Sequence, residues 1–243
     1  MINRLCRIAT LLASPSEVMA ALLWPKFSVT SFKMISDLAC QGILPKTVID
    51  VGANVGQFAV ASSKLFPDVV VYSFEPNPEC VGLLSKNVDS LGNVSVFPLA
   101  LGDKTGEVVF HVNSHSHSSS ILPLAENHLG AFPNAKEIGV IKVKVSTLDT
   151  IFSNIELATP VLLKLDIQGY EAQALRGGEE TLKSVEYVVL EASFKPMYEG
   201  EMLFMDIVRL MEGYGFSFKR PVGWLNDPNT REIIQMDALF QRL

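Results

Sequence analysis

From residue 47 onward the apolar positions switch repeatedly between two periods. Val48-Ile49-Asp50-Val51 is an apolar run of strand length, and 56–66 then sets Phe58, Ala61 and Leu65 at helical spacing. The β-branched and aromatic run 69–76 predicts a second strand, closed by Pro76 and Pro78. A helical pattern follows it to Leu91, where Gly92-Asn93 stops it. Residues 94–101 read as a third strand. The segments 106–112 and 141–145 alternate in polarity, as half-exposed antiparallel strands do. Between them lies a polar, proline-bearing stretch without period. Residues 160–167 and 185–191 resume buried strands, separated by a short helix that ends at Gly177-Gly178. A last helix carries Phe204, Ile207, Val208 and Met211 on one face, and 216–220 with 237–243 predict a closing hairpin.

Strands separated by helices give a doubly wound, mainly parallel α/β sheet. The pattern predicts one domain over 47–243, with residues 1–46 as an N-terminal helical appendage of two short amphipathic helices. The apolar run after Arg4 and Arg7 is too short and too broken to span a membrane. A weak membrane-surface contact is the alternative for this appendage. The chain has 243 residues and 48% hydrophobic composition, enough to fill a large core. Its 20 basic and 26 acidic side chains leave a net charge of -6, which argues against a nucleic-acid partner. Cys6, Cys40 and Cys80 are odd in number and widely spaced, which reads as reduced thiols in a cytoplasmic protein; an oligomer is compatible with everything above.

The chemistry concentrates where strands end. Asp50-Val51-Gly52-Ala53-Asn54-Val55-Gly56 bends a strand into a helix over two glycines. A dinucleotide turn has glycine in the middle, where Asn54 stands, and a phosphate loop needs a lysine that is missing. The turn therefore suits a nucleoside without a pyrophosphate. Glu75, at the end of the second strand, can accept both hydroxyls of a ribose or cap the next helix.

These residues carry a resemblance. Residues 50–57 (DVGANVGQ), 74–78 (FEPNP) and 163–178 (LKLDIQGYEAQALRGG), with 99–103 (LALGD) and 118–122 (SSSIL) in the same order, are similar to the FkbM-type methyltransferases. The resemblance spans roughly 47–195. Members usually carry glutamate where this chain has Gln168. The resemblance implies a Rossmann-like, class I methyltransferase fold of seven strands with an antiparallel C-terminal hairpin. It also implies S-adenosylmethionine as cofactor and O-methylation of a hydroxyl on a small molecule, glycan or polyketide-like acceptor.

On that reading Gly52, Asn54 and Gly56 let the backbone approach the cofactor, Asp50 takes its ammonium and Glu75 its ribose. Asp103 accepts from the adenine, or is a turn aspartate; Ser119 and Ser120 bind the acceptor or the cofactor's carboxylate, or are solvated loop. Asp166 has three roles open to it: orienting the sulfonium side, acting as general base, or holding a cation. His117 is the other candidate base, on a loop expected to cover the site. Asp166 and Glu191 resemble a magnesium pair, but two ligands make a poor site and no metal is expected. Lys164 is expected to pair with Asp50 or Glu191 or to contact the acceptor, and Tyr170, Phe194, Tyr198 and Trp224 to line an aromatic acceptor pocket or the core. The rival functions are a nicotinamide oxidoreductase on a similar sheet and a non-catalytic partner domain.

Overall fold

The computed structural model describes residues 15–66 and 68–243. The described chain opens with α1 (Pro15–Leu23) and α2 (Val29–Cys40). Ser28 caps α2 by accepting the Ser31 N–H at 3.3 Å, and Phe32, Ile35 and Leu38 face inward. The expectations placed on Arg4, Arg7 and Cys6 fall outside the described residues. Among the described residues no helix is long and apolar enough to cross a membrane.

The strands are β1 (Thr47–Val51), β2 (Val70–Phe74), β3 (Val94–Phe97), β4 (Ala100–Leu101), β5 (Gly106–Asn113), β6 (Glu137–Ser146), β7 (Val161–Leu165), β8 (Tyr187–Ser193), β9 (Phe216–Asn226) and β10 (Ile233–Arg242). Seven form one sheet in the order β3-β2-β1-β7-β8-β10-β9, with only β10 running antiparallel to its neighbours. Every residue of β1 and β7 is buried, the pattern of central parallel strands covered on both faces. One cover includes Phe74, Leu163, Leu190 and Phe240. The other joins Val48, Leu162 and Leu239 to Ile35 and Leu38 of α2 and to Phe58 of α3 (Gln57–Leu65). The doubly wound sheet, its seven strands and its C-terminal hairpin are therefore as expected.

Two local expectations need correction. The third strand was expected to run to Leu101, but β3 stops before Pro98, which has no N–H to give a ladder. Ala100 and Leu101 instead pair with Val145 and Ser146, in a separate three-stranded sheet ordered β4-β6-β5. The aperiodic stretch after β5 is not bare loop either: it holds a 3-10 turn, Ser116–Ser118, and α5 (Glu126–Ala131).

The chain order reverses between β1 and β7. That switch point is where open α/β sheets leave a crevice beyond their strand ends. Val51 pairs with Leu165, Leu165 with Leu190, and Leu190 with Ala238. The residues one step outward on this row are Gly52, Asp166, Glu191 and Asp237.

Candidate active site

The turn leaving β1 is held by the protein itself. Gly52 has φ +81°, and a Cβ there would lie 1.9 Å from the Asp166 carbonyl oxygen. Gly56 has φ +91°, with Leu84 Cδ1 2.8 Å from where its Cβ would be. Both positions exclude a side chain before any ligand is considered. The glycines expected to make room for a ligand make room first for β7 and for α4 (Pro78–Val88). Between them Asn54 sits at φ 49°.

Glu75 is tied to that turn. Its Oε2 accepts the Asn54 N–H at 2.8 Å and its Oε1 accepts the Asn77 N–H at 2.9 Å. Each oxygen keeps a second lone pair, the provision a vicinal diol needs. Burial pushes the Glu75 carboxyl up to about 7, against the pull of those two N–H groups. The Asn54 side chain donates to Ser116 Oγ at 3.2 Å, which ties the 3-10 turn to the site.

The next layer is ionic. Lys164 Nζ lies 3.2 Å from Asp166 Oδ2 and 3.5 Å from Asp50 Oδ1. Asp50 is fully buried, no hydrogen bond from the described residues reaches either oxygen, and burial raises its carboxyl above the usual range. Burial pushes Asp166 up too, but Lys164 and Gln168 outweigh it, so this carboxyl ends below the usual range.

Gln168, held at φ 60°, donates through Nε2 to Asp166 Oδ1 and to Glu191 Oε2, both at 2.8 Å. Its Oε1 accepts the Tyr198 hydroxyl. Glu191 also accepts from Gln235 Nε2 at 2.9 Å, and burial together with Asp166 holds its carboxyl well above the usual range. An amide at 168 can donate to two carboxylates at once, which glutamate cannot do when ionised. It also occupies the space between Asp166 and Glu191 that a shared cation would need.

Two hollows meet at this layer and share Gly52, Asn54, His117 and Asp166. The first is a cleft with apolar walls, among them Phe74, Leu99, Leu101 and Phe110, and with Glu75 and Ser119 at its polar edge. It encloses about 50 Å³. Apolar walls around one carboxylate with lone pairs to spare have the chemical character a nucleoside calls for, though not its volume. The second hollow, about 670 Å³, lies between α2 and the strand ends and is lined by Lys164 and Asp237 as well as by α2.

The structure gathers most of the expected residues and disperses some. Gly52, Asn54, Glu75, Ser119, Asp166 and His117 line the hollows. Gly56 caps α3, behind the turn. Asp50 lines neither hollow and reaches the site through Lys164. Asp103 is exposed on its turn and lines neither. Ser119 Oγ accepts the Asn113 N–H at 3.0 Å, and Ser120 Oγ donates to the Gln168 carbonyl at 2.7 Å, so both serines hold loops together. Of the four aromatic candidates Tyr170 lines the first cleft, Tyr198 is fully buried, and Trp224 is 62% exposed. Among the described residues no group of three His, Cys, Asp or Glu is placed to hold a metal.

Sequence reading overlooked Asp237 and the wall made by α2. Asp237 sits in an apolar strand motif, D-A-L-F, and only its register beside Glu191 marks it.

A 2-O-methyltransferase, NoeI, from Sinorhizobium fredii is 27% identical over 72% of this chain and 75% of its own length. The hexuronic acid methyltransferase AglP from Haloferax volcanii is 30% identical over 58% of this chain and 54% of its own. The crystal structure of a fibrillarin/Nop5p complex superposes with a TM-score of 0.52 over 88% of this chain and 83% of that one, at 13% identity, a likeness of fold alone. The model of the methyltransferase FkbM domain matches residues 50–218, and the chain belongs to that family.

Proposed function

We propose that this protein is an S-adenosylmethionine-dependent O-methyltransferase whose acceptor is a sugar hydroxyl. The observation that carries the reading is Asp166, which stands where the apolar cleft beside Glu75 meets the larger hollow under α2. Donor and acceptor would approach that carboxylate from opposite sides. The names of the two relatives support the acceptor class, one specifying an oxygen position and the other a sugar acid.

When bound, the cofactor supplies an electrophilic methyl group on sulfur. The protein's part is mainly to hold an acceptor oxygen in line with it, since positioning alone can contribute about 7–11 kcal/mol to such a step. Glu75 would take the ribose diol, Asn54 would brace the turn, and the apolar walls would receive the adenine. The first cleft encloses far less than the roughly 300 Å³ at which small-molecule pockets begin. The Ser116–Ser118 turn would therefore shift outward to admit the nucleoside. Asp166, held by Lys164 and Gln168, would face the sulfonium with its charge fixed in place. His117 remains a candidate proton acceptor, on the 3-10 turn that both hollows share.

Calorimetric titration with S-adenosylhomocysteine tests the donor half. Transfer of a labelled methyl group to simple glycosides tests the acceptor half. Binding of the nucleoside together with methyl ethers on sugar hydroxyls is the expected result; saturable binding of NADH instead would favour the oxidoreductase.

A further inference from the structure

We infer that the hollow under α2 is the acceptor pocket, and that Asp237 of β10 binds the acceptor hydroxyl there and takes its proton during transfer. This rests on the methyltransferase reading above and adds a residue and a place to it.

Two carboxylates line the hollow, Asp166 and Asp237. Asp166 is engaged by Lys164 and Gln168. For Asp237, no described residue donates a hydrogen bond to the carboxylate, although the residue is half-buried. A half-buried carboxylate that opens onto a hollow with no donor from the described residues has its lone pairs free to accept from a ligand hydroxyl.

The position is also built. Asp237 pairs across the hairpin with Gly223, and a Cβ on Gly223 would lie 2.2 Å from Asp237 Oδ2. Gly223 does not need glycine for its backbone angles, so its bare edge serves to seat this carboxylate. A register shift directly after Asp237 ends the regular ladder there.

The charges facing Asp237 are Lys164 from β7, Asp166 just beyond its end and Glu191 from β8, with His117 and Lys26 on the other walls of the hollow. Burial pushes its carboxyl up to about 6. A base that titrates there is ionised at neutral pH and still able to hold a proton.

The balance of the step is simple. The acceptor oxygen forms its bond to the methyl carbon as the sulfur–carbon bond breaks, and the hydroxyl proton passes to Asp237. Neutral thioether, methyl ether and protonated carboxyl remain.

The test compares wild type with Asp237→Asn and Gly223→Ala, using methyl glycosides of a neutral hexose, a 6-deoxyhexose and a hexuronic acid as acceptors with labelled donor. S-adenosylhomocysteine affinity and thermal unfolding are measured on the same samples. Asp237→Asn should lower kcat by about 100-fold or more, the scale of lost general-base help. It should erase the acidic limb of the pH–rate profile near 6 and leave nucleoside affinity within twofold. Gly223→Ala, which displaces the carboxylate without removing it, should also lower kcat at unchanged nucleoside affinity. Wild-type turnover in Asp237→Asn would overturn the inference alone, as would a loss of nucleoside affinity matching the loss of rate. If wild type binds the nucleoside but methylates none of the three glycosides, the sugar-hydroxyl reading falls and the inference falls with it.

Discussion

The hollows on either side of Asp166 are furnished differently. Beside Glu75 the polar groups are already engaged: two N–H groups occupy one lone pair on each carboxylate oxygen, and Asn54 is braced by Ser116. Beneath α2 the Asp237 carboxylate has no donor among the described residues, and α2 and β10, from opposite ends of the chain, add walls that the first cleft lacks. The first arrangement suits a ligand that never varies, because preorganised partners lose little freedom on binding. The second suits ligands that do vary, because its wall elements can change without disturbing the first.

The contrast can be broken experimentally. Gly52→Ala should have the largest effect. The new methyl group would collide with the Asp166 carbonyl and require a left-handed residue, costing about 3 kcal/mol of stability. Nucleoside binding should go with it, and a melting curve near wild type would show that the turn can yield.

Glu75→Ala comes next. It should weaken S-adenosylhomocysteine binding by about 1–3 kcal/mol, the scale of lost charge-assisted bonds. In the wild type the same affinity should fall as pH drops through about 7, where Glu75 takes up a proton. Calorimetry at pH 6 and pH 8 reads both, and an affinity indifferent to pH would remove the charge from the argument.

Glu171 supplies a control on the structural side. It lies in α7 (Glu171–Arg176), its Oε1 accepts the Ile167 N–H at 2.9 Å, and burial pushes its carboxyl up to about 8. Between the ordinary value of 4.5 and about 8, the folded state holds a proton that the unfolded chain has released. Stability should therefore be greatest below about pH 4.5 and decline as pH rises through about 8. Glu171→Gln should flatten that decline in urea titrations, and an equal slope in both proteins would count against it.

The smallest effect belongs to the ion pair of Asp37 in α2 with Arg220 in β9, which pins the wall of the second hollow. Both partners are partly exposed, so Asp37→Ala should cost less than about 1 kcal/mol of stability. Any functional change should appear in acceptor KM and not in nucleoside affinity.

The same contrast explains what could be read beforehand. Gly52, Asn54 and Glu75 lie in short contiguous motifs at strand ends, so local spacing was enough to place them together. The parallel core was legible because β1, β7 and β8 are mostly apolar, the buried Asp50 and Lys164 being single charged breaks in β1 and β7. The second hollow is made by register: Asp237 meets Glu191 only because β10 enters antiparallel, and Gly223 meets Asp237 only through the hairpin ladder. Pattern along a chain carries no such information. Asp103 is the opposite case, a strand-end acid that stands exposed on its turn, outside both hollows, after β4 has left the main sheet. Pro98 was the visible cause, and reading past it misplaced what followed.

The contact between Gly52 and the Asp166 backbone has a consequence for how such enzymes diversify. With no space for even one carbon between them, the bend after β1 and the strand end beyond it form a single welded joint, and drift at either side is punished at both. With the larger chamber as the proposed acceptor pocket, novelty in what gets methylated would accumulate at the periphery, in the helix that roofs it and in the hairpin that floors it.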